Sequence, residues 1–235
     1  QMLADELQLT VHTHLHETKT EVLESIGEHG KSPLQRFNDL GLLTPRLLAV
    51  HMTQLDSDDI ELIADTGINI LHCPKSNMKL GSGICPVADL IDAGTNVALG
   101  TDSAASNNKL DMLDELKTAA LLAKVATTDA TVIPAFTALE MATINGAIAL
   151  NIEDKLGSIA SGKQADLVAL NLNTASTIPV HDPISTLVYS ASAADVREVW
   201  VAGKRRVKDG ELSDVNLSAI QTKANQWRDK LASTV

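Results

Sequence analysis

The residues best equipped for chemistry lie in Val11-His12-Thr13-His14-Leu15-His16-Glu17. From Gln8 onward, Leu9, Val11, Thr13 and Leu15 alternate with polar side chains, the two-residue period of a strand. That period puts His12, His14 and His16 on one face, and Glu17 follows where the strand ends. An imidazole three positions ahead of a carboxylate suits a metal ligand beside a proton carrier. Further polar groups close later apolar runs: His51 ends Leu47-Leu48-Ala49-Val50-His51, His72 ends Ile68-Asn69-Ile70-Leu71-His72, and Asp102 ends Asn96 to Asp102.

Helical segments must separate these runs. Thr20 caps a helix to about Glu28, with Gly30 as its stop. Ser32-Pro33-Leu34-Gln35 pairs a capping box with proline at the first helical position, and Gly41 ends that helix. A helix spans Ser57 to Asp65 before Gly67. Cys73-Pro74 breaks the third strand, and a glycine-rich loop at Leu80 to Gly83 precedes a helix from Pro86 to Ala93. Leu110 to Ala126 and Thr137 to Leu150 are the next helical patterns. Strands alternating with helices every 20–30 residues or so predict consecutive βα units on a parallel sheet. The notable polar groups then gather at the carboxyl ends of the strands, where both a (β/α) barrel and a doubly wound open sheet place their sites.

After about Ile152 the texture changes. Lys163 to Leu170 feeds a strand, and Ala202-Gly203 is a hairpin turn between Glu198 to Val201 and Lys204 to Val207. We therefore divide the chain into an α/β segment over residues 1–151 and a β-rich segment over residues 152–235, ending in a helix from Leu217 to Leu231.

The bulk properties bound the function. The 235 residues are 44% hydrophobic and only 2% aromatic, so a core must be aliphatic. A formal charge of −11 excludes a general nucleic-acid binder, which needs a basic footprint. Cys73 and Cys85 are too few for a disulfide framework, and no long apolar run suggests a membrane span. A cytoplasmic protein is expected. The chain opens at Gln1, directly before a helical run from Met2 to Glu6, which points to a piece of something longer.

Taken together, His14-x-x-Glu17, Val50-His51, His72-Cys73-Pro74-Lys75-Ser76-Asn77-Met78-Lys79-Leu80 and Gly100-Thr101-Asp102 with Ala104 to Asn108 resemble the amidohydrolase superfamily. The resemblance is to the branch of 5-methylthioadenosine/S-adenosylhomocysteine deaminases, with guanine deaminases and triazine hydrolases as relatives. It extends to Gly162-Lys163-Gln164-Ala165-Asp166, similar to the family's C-terminal β domain. The family's first barrel strand carries a His-x-His pair. His12-Thr13-His14 imitates it, but His14 and Asp102 lie only 88 positions apart with two strands between them, and Glu17 fits strand five. The resemblance thus implies the C-terminal half of a (β/α)8 barrel, strands five to eight, followed by part of a small β-rich domain. Ser103 stands where the family usually has glycine.

What the resemblance implies for the site is specific. His14 and Asp102 hold one divalent ion, zinc foremost, with other divalent metals left open. Glu17 carries a proton to a purine ring nitrogen. His51 holds the water or the leaving group by hydrogen bonding, and Asp102 also accepts the water's proton. His72, Ser106 and Asn107 are candidates for substrate binding, with structural roles as the alternative for each. His12 and His16 are left as packing groups. Cys73 is no zinc ligand, because the zinc nucleobase deaminases of the other fold need a His-x-Glu and a Pro-Cys-x-x-Cys that are absent. The implied activity is zinc-dependent hydrolytic deamination of 5-methylthioadenosine or S-adenosylhomocysteine. The alternatives are guanine deamination, triazine hydrolysis, or a catalytically incomplete fragment lacking the strand-one pair. The implied partners are a small purine nucleoside and the missing N-terminal half or a second chain, with a homo-oligomer left open and neither nucleic acid nor membrane. His14, Glu17, His51 and Asp102 are expected to converge at one end of the sheet.

Overall fold

A computed structural model describes residues 2–232. Helix α1 (Met2–Leu7) leads into strand β1 (Val11–Leu15), α2 (Lys19–His29), α3 (Pro33–Asp39), β2 (Leu47–His51), α4 (Ser57–Thr66), β3 (Asn69–His72), α5 (Pro74–Leu80), α6 (Val87–Asp92) and β4 (Val97–Leu99). Helices α7 (Met112–Thr127), α8 (Ala135–Met141) and α9 (Ile144–Ala149) follow, then β5 (Leu167–Leu170), α10 (Pro183–Tyr189), β6 (Val196–Val201), β7 (Lys204–Lys208), β8 (Glu211–Leu212) and α11 (Leu217–Ala232). Strands β1 to β4 form a parallel sheet in sequence order, each paired with the next. The α/β class expected from the strand–helix rhythm is what the chain adopts.

The chain makes two compact units. Among the described residues, one comprises 2–164 and 172–193, the other 165–171 and 194–232. Residues 172–193, which the change of texture assigned to the β-rich segment, group with the first unit. Their helix α10 buries Val188 completely in the main core cluster, with Ile184, Leu187 and Tyr189 packed against it. The second unit is an antiparallel sheet in the order β5-β6-β7-β8. Its β6–β7 turn is Ala202-Gly203 as read from sequence, at φ 49° and 74°, the left-handed pair that a two-residue hairpin needs.

Within the first unit, one sheet face packs Leu15, Leu47, Ala49, Ile70 and Val97 with Ile63, Leu90, Leu116 and Met141 into a single aliphatic core. Leu48, Leu71 and Ala98 form a smaller cluster with Ala149. Local signals set the helix starts. Ser32 and Gln35 make the expected capping box with Pro33 at the first position. Helix α2 is capped by Thr18 rather than Thr20, because Glu21 sits three residues after Thr18 and closes a reciprocal box with it. The expected helix from Thr137 to Leu150 is two helices. The break at Ala142-Thr143 lets Asn145 donate to the Val97 carbonyl (3.0 Å) and accept on its own carbonyl from Asn96 (3.0 Å), locking α9 to β4.

Two glycines predict opposite responses. Gly27 lies inside α2 with nothing within 4 Å of an added Cβ. Gly27→Ala should raise unfolding free energy by about 0.5–1 kcal/mol, the usual helical penalty of glycine. Gly157 has φ +83°, and an added Cβ would sit 2.7 Å from Ala147 Cβ and 2.9 Å from Ile144 Cα. Gly157→Ala should lower stability by about 1 kcal/mol or more. Urea midpoints of the two variants, moving in opposite directions from the parent, check both.

Candidate active site

Strand β1 delivers His14, and Glu17 lies two residues past its end. Regular alternation along β2 would send His51 to the same face as Leu47 and Ala49, into the aliphatic core. Instead His51 takes φ 78° and Met52 φ 46°, a left-handed turn that swings the imidazole across to the site. The His14 and His51 rings stack, centroids 5.3 Å apart and planes 20° from parallel. Beyond β4, Asp102 also sits in the left-handed region at φ 58°. His14 Nε2 is 4.0 Å from Asp102 Oδ1, and His51 Nε2 is 3.7 Å from Glu17 Oε2. One ligand atom each from His14, His51 and Asp102 fall within 4.8 Å of one another, a separation that a single cation can span. Neutral imidazole and carboxylate are donors that zinc accepts. The expected convergence is therefore found, and His51 joins the potential ligand group alongside His14 and Asp102.

Each of these side chains is held from behind. The Ser76 and Ser106 hydroxyls both donate to Asp102 Oδ2, at 2.6 and 2.5 Å. Burial alone would raise the Asp102 carboxyl, but those two hydrogen bonds, with the Ser103 N–H, hold it below the usual carboxylate range. His51 Nδ1 pairs with Asn77 Oδ1 at 2.8 Å. Ser82 donates to Glu17 Oε1 at 3.0 Å, and Thr53 donates to the Glu17 carbonyl at 2.6 Å. The Glu21 carboxylate accepts the His16 and Glu17 N–H groups at 3.1 and 2.7 Å, fixing the backbone that carries Glu17. Ser76, Asn77, Ser82 and Glu21 escape a reading by spacing alone, although Asn77 and Ser76 lie within the quoted stretch from His72 to Leu80.

The remaining candidates take other places. His12 is exposed on β1. His16 does not share the face of His12 and His14: at φ 50° it turns into the interior, where Nδ1 meets the Gln54 carbonyl at 2.7 Å and Nε2 accepts the Leu34 N–H at 3.0 Å. His72 is buried, with Nδ1 lacking a hydrogen-bond partner, so it presents no surface to a ligand. Asn107 is also buried; its amide donates to the Thr101 carbonyl at 2.9 Å and to Glu115. Ser106 spends its hydroxyl on Asp102. Ser103 serves as a turn former, accepting the Asn107 N–H on its carbonyl at 2.8 Å. Cys73 is a buried thiol, pushed up to about 12 by burial and then by the Asp102 and Glu115 charges.

A parallel α/β sheet whose carboxyl ends gather two imidazoles and two carboxylates is built as a hydrolytic metal site is built. The amidohydrolase family model matches residues 1–206, and the chain belongs to that family. It is 53% identical over 230 residues to a 5-methylthioadenosine/S-adenosylhomocysteine deaminase of Teredinibacter turnerae, covering 98% of this chain and 52% of that protein. A crystal structure of an adenosine deaminase from Xanthomonas campestris with bound zinc superimposes with a TM-score of 0.97 at 48% identity, over 99% of this chain and 53% of the other. An atrazine chlorohydrolase from Arthrobacter aurescens complexed with zinc gives 0.90 at 26% identity, over 96% and 50%. The chain spans about half the length of the curated relatives it matches. Among the described residues, no helix is long and apolar enough to cross a membrane.

The burial of His72 has a measurable consequence. Its ordinary value of 6.5 is pulled down to about 3 by burial, and secondarily by the His51 charge. Between those values the unfolded chain takes up a proton that the folded chain refuses, so stability is full above pH 6.5 and declines as pH falls toward 3. In His72→Gln the slope of unfolding free energy against pH across that window should shrink by about one proton. Denaturant titrations at stepped pH check this; an unchanged slope would show that His72 is not the group responsible.

Proposed function

We propose that the chain supplies strands five to eight of a (β/α)8 barrel and part of a small β-rich domain, in a zinc-dependent enzyme that deaminates 5-methylthioadenosine or S-adenosylhomocysteine. Residues 1–151 would belong to the barrel together with residues 172–193, which share its core, and the remainder of 152–235 would be a C-terminal β-rich domain segment with its terminal helix. The reading is carried by one observation: His14, His51 and Asp102 place ligand atoms within 4.8 Å of one another at the ends of a sequentially ordered parallel sheet. The names of the Teredinibacter and Xanthomonas relatives, and the half-length match to them, support the substrate class and the half-barrel. Cytoplasmic residence fits two buried cysteines that are both free.

In this reading His14 and Asp102 hold the ion, aided by further ligands from the other half of the barrel. Bound zinc lowers the pKa of a water toward neutrality. Asp102 also accepts the proton of the attacking water. His51, braced by Asn77, holds that water or the departing ammonia by hydrogen bonding. Glu17, with Oε1 fixed by Ser82, uses Oε2 to deliver a proton to the ring nitrogen, so that the amino-bearing carbon can accept a nucleophile. His72, Ser106 and Asn107 act behind these groups.

Asp102→Ala and Glu17→Gln separate the roles. In the full-length protein, Asp102→Ala should lose both zinc and ammonia release from methylthioadenosine. Glu17→Gln keeps the shape and should keep the zinc, while turnover falls by about 10²–10⁴-fold, the usual range for a lost acid or base. Zinc content and ammonia release measured on the same samples decide it. Loss of zinc from Glu17→Gln, or its normal turnover, would remove Glu17 from the proton-carrying role.

A further inference from the structure

The two oxygens of Asp102 are treated differently. Oδ2 accepts two hydroxyls, from Ser76 at 2.6 Å and Ser106 at 2.5 Å. Oδ1 takes neither and faces His14 Nε2 at 4.0 Å. The two donors come from separate segments: Ser76 from the first turn of α5, and Ser106 from the loop four residues beyond Asp102. Ser76 is fully buried, so it cannot reach a bound molecule, and Ser106 is 7% exposed. Hydrogen bonds to a carboxylate are charge-assisted, and rotating this one would break both. We propose that Ser76 and Ser106 form a two-hydroxyl clamp that makes Asp102 a one-oxygen ligand, presenting Oδ1 alone to the cation. Both serines are positioning residues acting through Asp102.

The clamp rests on the metal-site reading given above, and its consequences are distinct from it. A free carboxylate can swing and can bind a cation through both oxygens; a clamped one offers a single, pre-aimed donor. Losing partners of this kind costs about 10–100-fold in metal affinity. Ser106 acquires a different role here from a substrate contact, and the two roles separate in kinetics: a clamp residue changes metal affinity and kcat, whereas a substrate contact changes KM.

The test is zinc affinity by chelator competition in the full-length protein, alongside the visible spectrum of the cobalt-substituted form. Ser76→Ala and Ser106→Ala should each weaken zinc by about tenfold, and the double variant by about 100-fold. With Asp102 free to bind through both oxygens, the cobalt bands of the double variant should lose intensity as coordination number rises. Ser25→Ala, which removes a buried hydroxyl bonded to the Lys31 carbonyl at 2.9 Å, should leave zinc affinity unchanged. If Ser76→Ala fails to fold, Ser106→Ala alone decides. Wild-type zinc affinity in both serine variants overturns the clamp and leaves the metal site standing. An equal loss in Ser25→Ala shows general loosening and also overturns the clamp. A raised KM with intact zinc affinity in Ser106→Ala returns that residue to the substrate. A parent protein that binds neither zinc nor cobalt overturns the metal site and the clamp together.

Discussion

The arrangement of the site depends on one short helix seated behind it. Three consecutive residues in the first turn of α5 hold three different elements: the Lys75 N–H meets Glu115, the Ser76 hydroxyl meets Asp102, and the Asn77 amide meets His51. Just past its end, Ser82 holds Glu17. Ser76, Asn77 and Glu115 are each at most 1% exposed. A polar group so deeply buried is costly unless it is bonded, and a bonded network in a low dielectric specifies a single arrangement. The relative positions of Glu17, His51 and Asp102 are therefore set by one rigid piece rather than by three loops settling independently.

Glu115 shows how this support is itself supported. It lies in α7, fully enclosed, and accepts from the Lys75 N–H at 3.2 Å and from Asn107. Burial raises its carboxyl above the usual range, with those two hydrogen bonds working against the rise. Asn107 in turn ties the loop back to the Thr101 carbonyl, one residue before Asp102. Helix α7, helix α5 and the loop after β4 are thus joined through a single side chain. Lys79 adds a further tie across the same gap, donating to the Ala105 carbonyl and to Asn108, both at 2.8 Å.

What could be read in the sequence was local or periodic. The βα rhythm, the capping box at Ser32 and Gln35, the Ala202-Gly203 turn and the position of His14, Glu17, His51 and Asp102 at or just beyond strand ends all have signals within a few residues of themselves. Helix α5 was hidden because Cys73-Pro74 reads as a strand terminator, whereas here Pro74 opens a helix at its first position. The left-handed turns at His16 and His51 reverse the parity that alternation predicts, and no glycine announces them. Ser76, Asn77 and Glu115 become functional only through partners 26 to 40 positions away. In sequence, Glu115 looks like one more surface charge on an amphipathic helix.

The order of the sheet also has a consequence for how the chain folds. Each of β1 to β4 pairs with the strand that follows it, so pairing can advance in one direction as the polypeptide lengthens. The ends that carry His14 and Asp102, however, come from the first and last strands of that progression. His14 and His51 are in place once β2 has docked on β1, yet Asp102 arrives only with β4. A cation held as proposed by His14 and Asp102 would need both of those ends in place, and by mass action it would draw the population toward the state in which β4 has docked. In that reading the metal would act as a thermodynamic latch on β4.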